Sequence, residues 1–155
     1  PMNPKYPLYI PSKGRWESRF TIKQLERMNV PYYVVVEQSD YENYCSVVPK
    51  ESVLVLPQEF LDNYETLDDL GNTKSKGPGA ARNFSWHHSK ENGFKFHWVM
   101  DDNILGFYRF NKNQIIRVED GTIFRCMEDF VERYDDVYLS IIDFLLVSVN
   151  TNLSF

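Results

Sequence analysis

Apolar residues along the chain follow two patterns: short continuous runs, and longer segments in which they recur every three or four residues. The continuous runs predict strands, and the spaced segments predict helices that bury one face. The predicted strands are 6–11, 32–36, 53–56, 95–100 and 137–144. The predicted helices are 21–28, a short one at 41–48, 80–92, and 123–134 with Ile123, Met127, Phe130, Val131 and Tyr134 on its buried face.

Three further segments do not fit this alternation. Residues 107–110 and 114–118 flank Asn111-Lys112-Asn113, a pattern typical of a β-hairpin. Residues 58–76 are acidic and irregular, and 72–79 is predicted to be a loop because glycine, proline and small polar residues dominate it. The chain from residue 145 onwards shows no clear closing element.

Strands that are apolar on both faces and alternate with helices are typical of an α/β domain with a mainly parallel sheet. We therefore predict one α/β domain over residues 1–155, with a Rossmann-like, mostly parallel sheet flanked by helices. The hairpin after the fourth strand is expected to give the sheet a mixed edge.

Composition and charge limit the classes of protein to which this chain can belong. Hydrophobic residues make up 43% of the chain, which excludes a disordered protein, and the net charge of −5 argues against coating nucleic acid by charge alone. The net charge does not exclude a local basic channel. Cys45 and Cys126 are far apart and lack a CxxC partner, so we expect two buried, reduced thiols. Without a membrane-length apolar run or a signal-peptide pattern, a cytoplasmic location is the expectation.

The candidate chemistry centres on residues 95–103, an apolar run that ends in Asp101-Asp102-Asn103. In open α/β sheets, ligands bind at the carboxyl ends of the strands. Adjacent strand side chains point to opposite faces, so the two aspartates are expected to act differently. One could reach a metal-bound diphosphate while the other holds a sugar or a neighbouring loop. Their oxygens suit Mg²⁺ or Mn²⁺, although a strand ending in a polar turn gives the same pattern.

Two other strand ends should lie on the same edge of the sheet. The first strand ends at Pro11 and is followed by Ser12, Lys13 and Arg15, which could bind phosphates or ribose. The second strand ends at Glu37, which could accept hydrogen bonds from a base or a ribose hydroxyl. A solvated strand end is the alternative for Glu37.

A fourth element is the glycine-rich entry to the helix at 80–92. The loop Gly77-Pro78-Gly79 leads into a helix N-terminus, which favours anions through its free N–H groups. Arg82 is predicted to lie in the first turn. His87, His88 and His97 lack the spacing of a metal site, and we expect them to have structural roles.

The four segments together resemble a known family. Segments 10–16 (IPSKGRW), 34–37 (VVVE), 77–83 (GPGAARN) and 98–104 (WVMDDNI) are similar to motifs of the TET/JBP-associated glycosyltransferases, which have a GT-A fold and include phage proteins thought to glycosylate modified pyrimidines in DNA. The resemblance spans about residues 6–145. It also fits the arginine-then-aspartate arrangement of family 2-like GT-A enzymes.

The resemblance implies roles for the candidate residues. Lys13, Arg15 and Glu37 would hold the nucleotide of a sugar donor, in a site that also includes Pro11, Ser12, Gly79, Arg82 and Asp101. Asp101 and Asp102 would bind the metal ion and the diphosphate. Asp102 and Asp143 are the candidate catalytic residues, Asp143 as a base, with a structural role for Asp143 left open. The acceptor-binding half that members of the family usually carry is expected to be short or missing in this chain.

The leading hypothesis is a metal-dependent glycosyltransferase that uses a UDP-hexose, with a modified pyrimidine in DNA as the acceptor implied by the resemblance. Basic residues could line the approach: Lys74, Lys76, Lys90, Lys95, Arg109, Lys112 and Arg117. A noncatalytic nucleotide-sugar-binding or interaction module is the alternative. A nucleotidyltransferase is less favoured because no glycine-rich signature follows the first strand.

Overall fold

The structure is a computed structural model that describes residues 2–63, 77–133, 138–141 and 144–148. The strands are β1 (Leu8–Pro11), β2 (Tyr33–Val36), β3 (Val53–Val55), β4 (Phe96–Met100), β5 (Tyr108–Asn111), β6 (Gln114–Arg117), β7 (Tyr138–Ile141) and β8 (Phe144–Ser148). The α-helices are α1 (Phe20–Arg27), α2 (Tyr41–Cys45), α3 (Gln58–Asn63), α4 (Gly77–Glu91) and α5 (Thr122–Val131). None of the helices in these ranges has the length and apolar character needed to cross a bilayer.

The central sheet has six strands in the order β3-β2-β1-β4-β8-β7. The first four are parallel, and β8 pairs antiparallel with both β4 and β7. Helices flank this four-stranded parallel part, consistent with a Rossmann-like GT-A fold, so the predicted α/β class is confirmed. The parallel strands bring the carboxyl ends of β1, β2 and β4 to one edge.

Alternating side chains divide the core between the two faces of the sheet. Val34 and Val36 face one side with α1, α2 and α5, whereas Tyr9 and Val35 face the other with α3 and α4. Both faces of β2 and β4 are therefore covered, as the continuous apolar runs predicted. Because both faces of these strands are packed, the strands cannot shift along their own axes. The packing therefore fixes the position of the polar residues that follow each strand.

The buried face of helix α5 was predicted in part. Val131 is buried and Ile123 and Met127 pack against the core as predicted, whereas Phe130 is 54% exposed and Tyr134 lies outside the described residues. Phe124 and Glu128 are also buried, although neither was predicted to be. The Glu128 carboxylate accepts hydrogen bonds from the backbone N–H groups of Lys5 and Tyr6 and from the Trp98 indole, Nε1 to Oε2 2.9 Å. These donors explain how an acidic residue can occupy the core, and they fasten the segment before β1 to α5.

The last strands of the chain and the edge of the main sheet also differ from the prediction. The predicted strand 137–144 is instead two strands, β7 and β8, and β8 extends into a segment for which no element was predicted. The hairpin β5–β6 forms a separate two-stranded sheet, so the expectation that it would give the main sheet a mixed edge was wrong. The antiparallel pairing comes from β7 and β8.

One helix was not predicted, and another begins earlier than predicted. Helix α3 lies in the segment that looked irregular, and α4 begins at Gly77 rather than at residue 80. Proline is tolerated in the first turn of a helix because the N–H groups there have no partner within the helix, so Pro78 as the second helical residue is compatible with this earlier start. Arg82 consequently lies in the second turn.

The cysteines only partly match the expectation of buried thiols. Both are free, but Cys126 is exposed on α5 and Cys45 is partly buried.

Candidate functional site

An open cleft of about 320 Å³ lies at the carboxyl edge of the parallel strands. This volume is within the range of small-molecule sites in proteins. The segments that follow β1, β2 and β4 form its walls together with the early part of α4. The lining residues are Pro11, Ser12, Lys13, Arg15, Val35, Val36, Glu37, Leu56, Ala81, Arg82, Asp101, Asp102 and Asn103.

The loop after β1 is supported by hydrogen bonds with the Tyr44 hydroxyl of α2. The Arg15 backbone N–H donates to the Tyr44 hydroxyl (3.1 Å), and the Ser12 hydroxyl contacts the same oxygen. Burial raises the pKa of Tyr44, so the phenol stays protonated at neutral pH. Since Ser12 donates its own proton to Asp102, the Tyr44 O–H donates to Ser12. The loop is thus ordered before any ligand arrives.

Asp40 provides a second support for this loop. Its Oδ2 accepts the backbone N–H of Gly14 at 2.8 Å. Gly14 has a φ of +66°, a left-handed conformation that glycine adopts without strain. The turn therefore exposes Lys13 to the cleft, where its Nζ lies 3.5 Å from Glu37 Oε2.

Asp102 is the more buried member of the aspartate pair, with its side chain 13% exposed. Its Oδ1 accepts a hydrogen bond from Arg15 Nη1 at 2.6 Å, and its Oδ2 accepts one from the Ser12 hydroxyl at 2.8 Å. Both oxygens are thus engaged by the loop after β1. Asp102 holds a neighbouring loop, which is one of the uses expected for one member of the pair.

Asp101 points towards α4 instead and is 45% exposed. Its Oδ1 lies 3.7 Å from Arg82 Nη2. The backbone around it is fixed by Thr21 of α1, whose buried hydroxyl donates to the Asp101 carbonyl and accepts the Ile104 N–H (2.9 Å). The twin acids therefore face different partners, as the alternation of strand side chains predicts.

The charges that line the cleft form three pairs. Lys13 with Glu37, Arg15 with Asp102, and Arg82 with Asp101 each join two different segments of the rim. Among the lining residues the charges therefore cancel. The charge of a ligand with several negative groups would be better neutralised if a cation bound together with it.

The aspartate pair could bind a divalent ion only together with a ligand that supplies further oxygen atoms. Among the described residues, no group of three or more His, Cys, Asp or Glu side chains could hold a metal ion alone. Mg²⁺ is commonly bound by one or two carboxylates together with substrate phosphates. Asp101 offers such oxygens at the cleft, Asp102 could share an oxygen that already accepts a hydrogen bond from Ser12 or Arg15, and phosphate oxygens would complete the coordination shell.

Most of the predicted site residues meet at the cleft. Pro11, Ser12, Lys13, Arg15, Glu37, Arg82, Asp101 and Asp102 line it, whereas Gly79 does not. Asp143 lies outside the described residues. Sequence reasoning missed the supports of the cleft, namely Tyr44, Asp40 and Thr21. A tyrosine on a short helix gives no signal that its hydroxyl will meet a loop 29 residues away at Arg15.

Two of the histidines, His88 and His97, have the structural surroundings that were expected, whereas His87 is exposed. Tyr9 Oη and His88 Nδ1 are hydrogen-bonded at 2.7 Å. His97 is fully buried in β4, with its ring 5.9 Å from that of Tyr9. Burial lowers the pKa of His97 to about 4. These residues stabilise the layer between the sheet and α4.

Comparison with known proteins gives one informative result. No curated protein and no solved structure matches the chain. The model of one family, the TET-associated glycosyltransferases, matches residues 6–146 and so covers all four cleft-forming segments. The resemblance seen in the sequence is therefore confirmed, and glycosyltransferase activity, a nucleotide-sugar donor and an acceptor are what the family implies. The chain belongs to the TET-associated glycosyltransferase family.

Proposed function

We propose that this chain transfers a hexose from a UDP-sugar to an acceptor, that the cleft binds the donor, and that Mn²⁺ or Mg²⁺ is required. The observation that carries the proposal is the meeting of Arg82 and Asp101 across the cleft, with Lys13 and Arg15 on its other wall. A diphosphate in this position would contact cations from two sides.

The donor would be held by groups at three strand ends. Lys13 and Arg15 can donate to phosphate or ribose oxygens, and Glu37 can accept from a ribose hydroxyl or a base N–H. The apolar floor, which includes Val36 and Leu56, offers a surface for the uracil ring. A pyrimidine nucleotide fits this combination of a small apolar floor and a charged rim.

The paired charges of the cleft support metal dependence. A nucleoside diphosphate carries more negative charge than a cleft with no net charge can balance, and a divalent ion bound by Asp101 and Asp102 would supply the difference. When bound, such an ion stabilises the charge that develops on the departing diphosphate. Asp101, which is the more exposed of the two, is proposed as the principal ligand.

In the transfer, the bond between the anomeric carbon and the diphosphate oxygen breaks and a bond to the acceptor oxygen forms. The acceptor hydroxyl loses its proton to a base, and UDP leaves. Arg82 and Lys13 would stabilise the negative charge on the leaving group. Asp102 would keep Arg15 and Ser12 in place by its two hydrogen bonds. The acceptor is proposed to be a hydroxyl-bearing modified pyrimidine in DNA, which would have to leave the base stack to enter the cleft.

Calorimetric titration with UDP, in the presence and absence of Mn²⁺, tests the donor site. The parent protein is expected to bind UDP more tightly with Mn²⁺. Asp101→Asn keeps the shape of the side chain but removes its charge, and it is expected to lose most of the metal enhancement, about tenfold or more. Asp129→Asn is the matched control because Asp129 is an exposed acid on α5. Equal behaviour of the two variants would refute the metal assignment.

Asp102→Ala is expected to remove the metal enhancement as well, and to weaken metal-free UDP binding because Arg15 loses its partner. Hydrolysis of UDP-glucose then separates an enzyme from a passive binding module. Slow release of glucose that depends on Mn²⁺ supports transfer activity, whereas UDP binding without any turnover, with or without modified DNA, would contradict it.

A further inference from the structure

The hairpin β5–β6 presents an apolar face that the core does not use. Tyr108 pairs with Arg117 and Phe110 pairs with Ile115, so these four side chains share one face. Tyr108, Phe110 and Ile115 are 55%, 70% and 72% exposed. A cluster of exposed apolar side chains of this kind often marks an interaction surface.

The base of the hairpin is fixed, so this face has a defined position. Phe107 and Val118 are buried and joined by a backbone hydrogen bond (2.8 Å), and the Phe107 ring packs on Phe124 at 5.2 Å between centroids. At the tip, Lys112 and Asn113 have positive φ values of 49° and 63°. Positive φ at both central residues is the signature of a type I′ turn, whose twist suits a two-residue hairpin.

The Tyr108 ring is also held in place. It lies against Gly106, where a Cβ atom would stand only 2.9 Å from a ring carbon. On the opposite strand, the Arg117 guanidinium donates to the Gln24 side chain of α1. The hairpin is therefore docked against α1, whose first turn carries Thr21 at the cleft.

The charge of this segment is opposite to that of the whole chain. Residues 103–118 contain Arg109, Lys112 and Arg117 and no acidic residue, although the chain has a net charge of −5. The acid that follows, Glu119, is paired with Arg27 at 2.6 Å. The exposed aromatic rings thus lie within a local patch of positive charge. Proteins commonly bind single-stranded nucleic acid through aromatic rings that stack on the bases and nearby cations that contact the phosphates.

We propose that the exposed face of the β5–β6 hairpin binds single-stranded DNA, with bases stacked on Tyr108 and Phe110 and phosphates near Lys112 at the tip and Arg117 on the same face. The choice of DNA as the occupant rests on the proposed acceptor. The hairpin starts five residues after Asn103, which lines the cleft, so its first residue is within about 18 Å of Asn103 along a fully extended chain. A strand on this face would lead a target base towards the donor.

Fluorescence anisotropy with a labelled oligothymidylate of about twelve nucleotides tests the proposal, since one small domain occupies roughly 4–16 nucleotides. The parent is expected to bind the strand, more tightly at low salt. Phe110→Ala should weaken binding about tenfold through loss of one base–aromatic stack, and Phe110→Tyr should restore it. Phe130→Ala, at an exposed aromatic on α5, is the matched control and should change nothing.

Lys112→Asn tests the charge, since asparagine tolerates the positive φ at this position. It should reduce the slope of log affinity against log salt by about 0.7, the loss of one phosphate contact on a single strand. Lys50→Ala is its control, an exposed lysine just before β3, at the amino end of a parallel strand. Both hairpin variants should bind UDP as the parent does, so failure here is distinguishable from failure of the donor site.

Several results would overturn the proposal. The parent could fail to bind the oligonucleotide, or Phe110→Ala could bind as tightly as the parent. Tighter binding of an RNA strand of the same length would contradict the assignment to DNA. A dimer in sedimentation that Phe110→Ala dissociates, with strand binding unchanged, would show that a second copy of the chain covers this face.

Discussion

His97 lies in the middle of β4 and is fully buried. Neither ring nitrogen has a hydrogen-bond partner among the described residues, and burial lowers the pKa from 6.5 to about 4. The unfolded chain therefore binds the proton more tightly than the folded chain does. The stability that depends on neutral His97 is fully present above about pH 6.5 and is lost as the pH falls towards 4.

The size of this effect follows from the two pKa values. At about 1.4 kcal/mol per pKa unit, the free energy of unfolding should fall by about 2 kcal/mol between pH 7 and pH 5 and by about 3 kcal/mol by pH 4. His97→Leu replaces the imidazole by an apolar side chain of similar size and removes the titration. The difference in stability between parent and variant should change by these amounts, because the other titrating groups are common to both.

Urea unfolding at a series of pH values, followed by circular dichroism, measures this difference. His87→Leu is the matched control, since His87 is on the exposed side of α4. The His87 variant should follow the parent at every pH. If the stability of the His97 variant also ran parallel to that of the parent from pH 7 to pH 4, His97 would not be a buried imidazole that must stay neutral.

Three other predictions concern buried contacts. Glu128→Gln should lower the free energy of unfolding by about 3 kcal/mol, because the amide nitrogen would face backbone and indole donors now bound by a carboxylate; a loss below about 1 kcal/mol in urea unfolding would show that these hydrogen bonds matter little. Leu25→Ala should cost about 3 kcal/mol in the same assay, since Leu25 is fully buried between α1 and the sheet; an unchanged unfolding midpoint would contradict this packing. Tyr44→Phe should weaken UDP binding about tenfold while lowering stability by about 1 kcal/mol, because the loop after β1 loses its hydroxyl support; calorimetry showing parental affinity would exclude this positioning role.

The parts of the fold predicted correctly are those in which local pattern and tertiary burial agree. Strands β2 and β4 are continuous apolar runs because both of their faces are covered, and that pattern is visible in the sequence. Once the strands were assigned, the rule that parallel strands end at one edge sufficed to bring Arg15, Glu37 and Asp102 together.

The errors arise where a distant contact decides the local structure. An acidic residue such as Glu128 gives no sign in the sequence that it is buried, and its three donors from the segment before β1 and from β4 explain its burial. The hairpin was assigned to the main sheet because nothing local shows that Phe107 and Val118 anchor it beside α5. The support that Tyr44 gives to Ser12 is likewise a long-range contact with no signature in the sequence.

The central claim is that a sugar-nucleotide diphosphate lies in the cleft between α4 and the loop after β1. A crystal structure of the protein with UDP and Mn²⁺ tests this most directly. We expect the diphosphate between Arg82 and Lys13, with Mn²⁺ next to Asp101. Nucleotide bound elsewhere on the molecule, with the ion pair of Arg82 and Asp101 left as it is at 3.7 Å, would contradict it.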